Sequence, residues 1–254
     1  MTSTYLITGA NRGIGRGLTE LILQRPNTTV IALVRDTEDE TTKALVASSP
    51  DPKRLLILSY DAKDADSASS ALSTLETRYN IKHLDVVIAN AGALLWHGPA
   101  INTPGHAILE SITVNTIGPL LLFRACLPLM QSSPAPKFIA ISSAIGSTGQ
   151  IPKFAQSQTL PYGISKAALN HTFRKLSVDH PDIAVELLTP GPVLTDLMRE
   201  FRAGLEERVK KDPALLKRFT PIDQVCDGLL SQIDAASKES SGDFRDWKGE
   251  VIPW

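Results

Sequence analysis

The sequence predicts a doubly wound α/β fold, in which helices cover both faces of a mostly parallel β-sheet. Short apolar runs, each long enough for one strand, alternate with amphipathic segments of helical length. The runs are residues 5–8, 29–34, 55–60, 84–89, 137–142 and 184–189. Because polar and apolar residues hardly alternate within them, both faces of each strand should be buried. The helix-length segments between the strands then act as crossover connections, which make neighbouring strands parallel.

Length and composition are those of an ordinary globular protein. The chain has 254 residues, of which 43% are hydrophobic and 21% are charged, and its formal net charge is −1. One domain over residues 1–254 is therefore expected. The scattered basic residues favour neither a nucleic acid nor a membrane as partner, and we identify no apolar stretch of about 20 residues to span a bilayer. We expect a cytoplasmic protein that binds a small molecule.

Two further segments have a predicted structural role. Residues 106–130 carry apolar side chains at helical spacing and should form a long packed helix, kinked near Pro119 and ending near Pro128. Asn115 lies on the apolar face of this helix. It either satisfies backbone groups at a helix distortion or anchors a water linked to Lys166, and the two roles are compatible. Residues 147–161 and 194–221 fall outside the strand–helix rhythm, and we expect 194–221 to be a substrate loop or lid.

A glycine-rich turn follows the first strand, at the junction where doubly wound sheets bind dinucleotides. It reads TGANRGIG over residues 8–15 and leads into a helical run. Glycines let backbone amides approach a pyrophosphate, and the helix N-terminus supplies unpaired N–H donors with a favourable dipole. The predicted cofactor contacts in this turn are Gly9, Asn11, Arg12, Gly13, Ile14 and Gly15.

The end of the second strand predicts which dinucleotide is bound. At this position a carboxylate would bind the ribose 2′-hydroxyl, whereas an arginine would accommodate a 2′-phosphate. Arg35 favours NADP(H), and Arg12 offers a second guanidinium for charge-assisted pairing with that phosphate. We interpret the adjacent Asp36 as a helix cap or a solvated turn residue.

Tyr162 and Lys166 lie four residues apart at the start of a predicted helix and project from one face. A nearby lysine ammonium would lower the pKa of the phenol from its ordinary value near 10, which suits a general acid in reduction and a base in oxidation. Ser143 closes the fifth strand, where its hydroxyl could bond the substrate oxygen. Alternatively Ser143 is a turn or cap residue, a role that Ser142 could fill instead.

Taken together, these motifs resemble the short-chain dehydrogenase/reductase family over almost the whole chain. In chain order they are the glycine turn, Asn90-Ala91-Gly92, Asn115, Ser143, Tyr162 with Lys166, and Pro190-Gly191. The resemblance implies a Rossmann fold with about seven strands. It also implies a catalytic tetrad. The four residues are Asn115, Ser143, Tyr162 and Lys166.

The resemblance further implies direct hydride transfer between nicotinamide C4 and a substrate carbon, without a metal. Asp61 would contact the adenine and Lys166 the nicotinamide ribose. Other implied cofactor contacts are Asn90, Ala91, Gly92, Tyr162, Pro190, Gly191, Val193 and Thr195. Because many relatives pair the helices that follow strands four and five, a homodimer or homotetramer is implied.

Residues 241–254 resemble the ending of sniffer-like and C-factor-like carbonyl reductases and of fungal ketoreductases similar to norsolorinic acid reductase. One departure from the family is that Ser143 and Tyr162 are several residues further apart than its commonest spacing. Loop residues expected beside the nicotinamide are mainly apolar, which favours a hydrophobic or aromatic ketone, although such residues also occur as plain core. They are Leu94, Leu95, Trp96, Ile145, Phe154, Val193, Leu197, Met198 and Phe201.

The predicted function is NADP(H)-dependent reduction of a ketone to an alcohol, with Tyr162 as the proton donor. Two alternatives remain open. One is a protein that senses NADP(H) or acts as a scaffold without catalysis, and the other is a biosynthetic cyclase or epimerase on the same fold.

Overall fold

All seven strands of the sheet pair in parallel in the computed structural model, which describes residues 2–195, 197 and 213–254. The strand order is β3-β2-β1-β4-β5-β6-β7. The strands are β1 (Ser3–Thr8), β2 (Thr28–Val34), β3 (Leu55–Ser59), β4 (Val86–Ala89), β5 (Lys137–Ile141), β6 (Ala184–Thr189) and β7 (Phe244–Asp246). The predicted Rossmann fold is confirmed, and each apolar run agrees with one of the first six strands to within two residues at either end.

Helices cover both faces of this sheet. They are α1 (Gly13–Leu23), α2 (Glu40–Ser48), α3 (Ser67–Tyr79), α4 (Gly105–Ile112), α5 (Gly118–Gln131), α6 (Leu160–Asp179) and α7 (Ile222–Ala235). One core cluster joins the sheet to α3, α5 and α6, and a second joins it to α1, α2 and α7. Adjacent strand residues such as Leu6 and Ile7 enter opposite clusters. Burial on both faces explains why the strands read as continuous apolar runs.

The chain changes direction across the sheet between β1 and β4. From β1 it proceeds outward through β2 to β3, and then it returns so that β4 pairs with the other side of β1. The carboxyl ends of β1 and β4 therefore flank a topological switch point, the position where open α/β sheets bind ligands. The glycine turn follows β1 and Asn90 follows β4, so both lie at this crevice.

The predicted helix 106–130 is two helices joined by a π-helical turn, Thr113–Ile117. The distortion near Pro119 is confirmed. Pro119 lies in the first turn of α5, where its missing N–H costs no helical bond. The end expected near Pro128 falls three residues later, because α5 continues through this proline to Gln131. An interior proline costs about 3 kcal/mol, and burial of Leu129 and Met130 beyond it, at about 1.5–3 kcal/mol each, offsets that cost.

The same stretch corrects the expectation about bilayer-length segments. Gly105–Gln131 is long and apolar enough to cross a membrane by length and composition, but half of its most apolar part is buried inside the protein. Phe123, Cys126 and Met130 of α5 belong to the core beneath the sheet. The apolar character of this helix is therefore explained by packing.

Two irregular segments were predicted. The first, 147–161, contains the 3₁₀ helix Thr148–Phe154, and the shorter 3₁₀ helix Ala144–Gly146 lies between it and β5. Of the second, 194–221, residues 196 and 198–212 lie outside the described residues, and the described part includes the 3₁₀ helix Pro213–Arg218. Its role as a substrate loop stays a prediction.

Candidate active site

The turn after β1 requires glycine for two physical reasons. Gly9 and Gly13 have φ angles of +64° and +55°, in the left-handed region that L-residues with a side chain rarely adopt. At Gly15 a Cβ atom would lie 2.3 Å from the carbonyl oxygen of Gly9 and 2.5 Å from Nδ2 of Asn90. The chain therefore packs too tightly at this position to accommodate a side chain. Its backbone forms a cradle beside the N-terminus of α1 that is suited to a pyrophosphate.

Asn90 holds this turn from the neighbouring strand. Its Nδ2 donates to the carbonyl oxygen of Thr8 at 2.9 Å, and the Thr8 hydroxyl accepts from the backbone N–H groups of Asn90 and Ala91 at 3.0 and 2.8 Å. On the other side, Asn11 Nδ2 donates to the hydroxyls of Thr41 and Thr42 at 2.8 and 3.0 Å. Thr8 is the first residue of the predicted turn, but its hydroxyl contacts were not predicted. Thr41 and Thr42 were not predicted either, since nothing in their spacing distinguishes them from other threonines.

The expected adenosine end is exposed. Arg12 and Arg35 are both exposed, so their guanidinium groups are accessible to an anion. Asp36 accepts from the backbone N–H of Glu38 at 2.8 Å, which confirms the turn interpretation, whereas the residue that caps α2 is Asp39. Asp61 is also exposed, and its carboxylate accepts from the backbone N–H of Lys63 at 2.9 Å.

Tyr162 and Lys166 are buried together on the first turns of α6. They are 8% and 3% exposed, and Nζ of Lys166 lies 5.6 Å from the centroid of the Tyr162 ring. Nζ also donates to the carbonyl oxygen of Ile141, the last residue of β5, at 2.7 Å. Lys166 thus points into the protein and ties α6 to the end of the strand that leads to Ser143.

Burial decides the protonation of this pair. It raises the pKa of Tyr162 to about 12, although the hydrogen bond with the Ser143 hydroxyl opposes the change, and it lowers the pKa of Lys166 to about 7. The predicted lowering of the phenol pKa by Lys166 is therefore wrong for the protein's own residues, because desolvation penalises both charged forms. Tyr162 is protonated at neutral pH, the state that a proton donor requires.

Ser143 takes the cap role proposed for it and lies beside Tyr162, while its bond to a substrate oxygen stays a prediction. Its hydroxyl contacts the phenol of Tyr162 and also caps the following 3₁₀ helix by accepting from the backbone N–H of Ile145 at 3.4 Å. Ser142 does not take over the cap, because its hydroxyl donates to Oδ1 of Asn170 at 2.5 Å. Ser143 thus lies within reach of whatever Tyr162 protonates.

Asn115 occupies the π-helical turn and links it to both neighbouring segments. Its Oδ1 accepts from the N–H of Ala93 and its Nδ2 donates to the carbonyl oxygen of Ala93, both at 2.8 Å. Nδ2 also contacts Oγ of Ser165 at 3.0 Å, and that hydroxyl donates to the carbonyl oxygen of Tyr162 at 2.8 Å. Asn115 therefore satisfies backbone groups at a helix distortion, as one interpretation proposed, and those groups belong to the loop after β4.

Ser165 and Thr116 are site residues that the sequence did not indicate. Ser165 is fully buried, and the hydroxyl of Thr116 donates to its carbonyl oxygen at 2.7 Å. The buried face of α6 also carries Lys166 and Asn170, so a further polar residue on it did not stand out in the sequence. Gly92 completes this region, because a Cβ there would lie 3.2 Å from Oδ1 of Asn115 and 3.8 Å from Nζ of Lys166.

The predicted substrate residues surround the same region only in part. Leu94 is buried, and the loop that carries it is joined to the segment before α6 by the Gly98 N–H, which donates to the carbonyl oxygen of Gln158 at 2.8 Å. The Ile145 side chain lies 3.3 Å from the position of a Cβ on Gly163. Trp96 and Phe154 are half-buried, Leu197 is exposed, and Met198 and Phe201 lie outside the described residues.

The loop after β6 lies against the glycine turn. Gly191 has a φ of +68°, and Thr195 lies against the glycine turn, 3.7 Å from where Gly13 would carry a Cβ. Val193 is buried in the same core cluster as α1. This arrangement places residues 191–195 beside the predicted pyrophosphate cradle, consistent with the contacts that the resemblance implied.

The fold and this site define a short-chain dehydrogenase. The family profile of the short chain dehydrogenases matches residues 3–206, and the chain belongs to this family, whose members are oxidoreductases.

Three similar proteins show how far the likeness extends. The short chain dehydrogenase gsfK of Penicillium aethiopicum is 38% identical, with the alignment covering 100% of both chains. A norsolorinic acid ketoreductase of Dothistroma septosporum is 35% identical over 99% of this chain and 92% of its own. The structure of an NADPH-bound carbonyl reductase from chicken fatty liver matches with a TM-score of 0.87, 28% identity and coverage of 100% and 99%.

Proposed function

We propose that this chain is an NADP(H)-dependent ketoreductase that reduces a hydrophobic or aromatic ketone to an alcohol. The observation that carries the proposal is the buried cluster in which Ser143 contacts the phenol of Tyr162 beside Lys166, next to the glycine cradle. A protonated phenol with a serine hydroxyl beside it is suited to binding a carbonyl oxygen.

Each part of the site would have a separate role in the reaction. The glycine turn, Asn90 and Thr195 would hold the dinucleotide, which supplies a hydride from its nicotinamide C4 to the carbonyl carbon. Tyr162 transfers its phenolic proton to the carbonyl oxygen, so that hydride and proton together yield the alcohol. Ser143 donates a hydrogen bond to the same oxygen as negative charge develops there. Lys166, held at Ile141, lies beside the phenolate that remains and can stabilise its charge when protonated.

The phosphate on the adenosine ribose is proposed to lie between Arg12 and Arg35. Both side chains are exposed, and Arg12 belongs to the turn while Arg35 follows β2. Two guanidinium groups can form forked hydrogen bonds with the 2′-phosphate of NADP(H), a group that NADH lacks. The similar carbonyl reductase from chicken fatty liver has NADPH bound in its crystal structure, which supports this choice.

The substrate class is proposed from the walls of the site and from the relatives. The side chains offered by Leu94, Trp96, Ile145 and Phe154 are apolar, so a sugar would find few partners for its hydroxyls. A relative named as a ketoreductase of norsolorinic acid supports a ketone substrate.

The test is NADPH oxidation by the purified protein with a panel of aromatic ketones, 2-acetylnaphthalene and acetophenone among them, with the alcohol quantified. We expect turnover with NADPH in preference to NADH. Arg35→Ala should raise the KM for NADPH at least about tenfold, because a charge-assisted pair is lost, while Arg78→Ala, which removes an arginine at the end of α3, should not. An unchanged cofactor preference in Arg35→Ala would exclude Arg35 from phosphate recognition. Tight NADPH binding without turnover of any ketone would instead favour the cofactor-sensing alternative.

A homodimer or homotetramer is proposed as the state in solution. Leu109 of α4 and Val178 of α6 are 69% and 67% exposed, which is unusual for large apolar side chains on core helices. Burial of these helices against a second copy would remove that exposure. Sedimentation of a monomer at micromolar concentration would contradict the proposal.

A further inference from the structure

The chain folds back on itself after the last strand. Gly249, with a φ of +90°, turns the chain so that Val251 forms an antiparallel bridge with Arg245. The N–H of Ile252 then donates to the carbonyl oxygen of Phe244 at 2.8 Å. We refer to residues 244–254 as the C-terminal hairpin, whose sequence resembles a reductase subgroup and to which the proposed reaction assigns no role.

The returning arm of the hairpin bonds to the segment that follows Ser143. The hydroxyl of Ser147 donates to the carbonyl oxygen of Pro253 at 2.5 Å, and the N–H of Gly149 donates to that of Trp254 at 2.8 Å. The Thr148 hydroxyl reaches the same Trp254 oxygen at 3.2 Å. Three consecutive residues of the segment are therefore fixed by two residues of the hairpin.

The outgoing arm bonds to the last residue of β6 and packs on the loop that follows it. The N–H of Trp247 donates to the carbonyl oxygen of Thr189 at 3.1 Å, and its indole lies 3.7 Å from where Gly191 would carry a Cβ. Trp247 is itself anchored on α7, where a Cβ at Gly228 would lie 2.5 Å from the ring. The Thr189 hydroxyl accepts from the N–H groups of Ala144 and Gly191, at 3.2 and 3.4 Å, and so joins the two segments.

The segment after Ser143 is packed against the catalytic helix on its other side. A Cβ at Gly146 would lie 2.7 Å from both the carbonyl carbon and the Cβ of Lys166. The segment is therefore held between α6 and the hairpin, and loss of the hairpin contacts would allow Ser143 and Ile145 to shift relative to Tyr162. An irregular segment with few regular backbone bonds depends on such external contacts for its rigidity.

We propose that Pro253 and Trp254 of the C-terminal hairpin position residues 144–154, the segment that follows Ser143, and thereby determine which ketones fit the site. This inference rests on the proposed ketone reduction. The long interval between Ser143 and Tyr162 explains the need, because the apolar side chains of Ile145 and Phe154 belong to this interval. Trp254 is kept in place by its ring, which packs on Phe244 with centroids 5.8 Å apart. Pro253 and Trp254 are positioning residues, since they act through Ser147, Thr148 and Gly149.

Three variants of the full chain test this proposal. Deletion of Pro253 and Trp254 removes both acceptors, and Trp254→Ala removes the packing on Phe244. Ser147→Ala removes the hydroxyl that donates to Pro253, and with it the cap that this hydroxyl provides by accepting from the N–H of Gln150 at 3.2 Å. Val251→Ala is the matched control, because Val251 is in the same arm and 69% exposed. For each protein we would measure amide hydrogen exchange over residues 144–154, the Kd for NADPH, and kcat and KM for acetophenone and 2-acetylnaphthalene.

The deletion should speed exchange at the Gly149 amide at least about tenfold. It should lower kcat for ketone reduction about tenfold, the factor expected for the loss of about one net hydrogen bond in the transition state. The ratio of kcat/KM between the two ketones should change, while the Kd for NADPH stays within about twofold. Trp254→Ala and Ser147→Ala should change these quantities in the same direction by less, and Val251→Ala should match the wild type.

Unchanged exchange in the deletion variant would overturn the proposal, as would faster exchange with both ketones reduced as in the wild type. If the deletion variant does not fold, Trp254→Ala decides by the same two criteria, because it leaves the Ser147 cap on Gln150 intact. If the wild type reduces no ketone, the proposed function fails, and the positioning role is then judged by exchange alone, with unchanged rates overturning it.

Discussion

Changing Lys166 to methionine should remove a pH dependence from the stability of the cofactor-free protein. In the unfolded chain Lys166 keeps its proton up to its ordinary pKa of 10.5, whereas burial lowers its pKa in the folded protein to about 7. Between these two values the unfolded state binds more protons, so the free energy of unfolding rises with pH. One proton corresponds to roughly 1.4 kcal/mol per pH unit. From about pH 7.5 to about pH 9.5, Lys166 should therefore add between about 2 and 3 kcal/mol.

The assay is urea unfolding of the wild type and Lys166→Met at several pH values in this window. The difference between the two free energies of unfolding should increase with pH, because other titrating groups are common to both proteins. Tyr162 does not interfere, since its pKa is raised from 10.0 to about 12 and its contribution is lost only above this window. Lys175→Met, which replaces an exposed lysine on the same helix, should show no such slope. A flat difference for Lys166→Met would refute the buried, neutral lysine.

Two further predictions follow from packing and hydrogen bonding. Gly15→Ala should destabilise the fold by about 1–3 kcal/mol or more and weaken NADPH binding, because its Cβ would lie 2.3 Å from the Gly9 oxygen. Gly105→Ala is the control, because a Cβ there meets nothing within 4 Å. If the two variants had equal melting temperatures and NADPH affinities, the tight turn at Gly15 would be contradicted. Ser165→Ala should lower kcat more than it changes KM, with a stability loss of about 1 kcal/mol, because it breaks the link from Asn115 to Tyr162. Ser177→Ala, which removes a similar hydroxyl-to-carbonyl bond on α6, should leave kcat unchanged. If both serine variants had the same kcat, Ser165 would have no role in positioning Tyr162.

The first six strands could be predicted because a strand that is buried on both faces consists of consecutive apolar residues. β7 could not, since it has three residues, and of these only Phe244 is fully buried. A strand this short carries too little periodicity to be distinguished from a loop. Its place in the sheet depends on pairing with β6, which is a long-range contact.

The site shows the same division between local and long-range information. The glycine turn and the spacing of Tyr162 and Lys166 are local features, and the structure brings them together at the predicted edge of the sheet. The bonds from Asn115 to Ala93 and Ser165 join distant segments, and no local pattern indicates them. The pKa direction of Tyr162 was mistaken for a related reason: its distance from Lys166 follows from helix geometry, but the loss of water around both groups depends on the whole fold.

The proton donor is the centre of this account, and Tyr162→Phe tests it most directly. The variant keeps the ring and removes only the hydroxyl, so NADPH should still bind with the wild-type Kd. We predict that kcat for NADPH-dependent reduction of an aromatic ketone falls at least about a hundredfold, the scale of general acid catalysis. Turnover equal to that of the wild type, in a folded variant that binds NADPH, would contradict the assignment of Tyr162 as the proton donor.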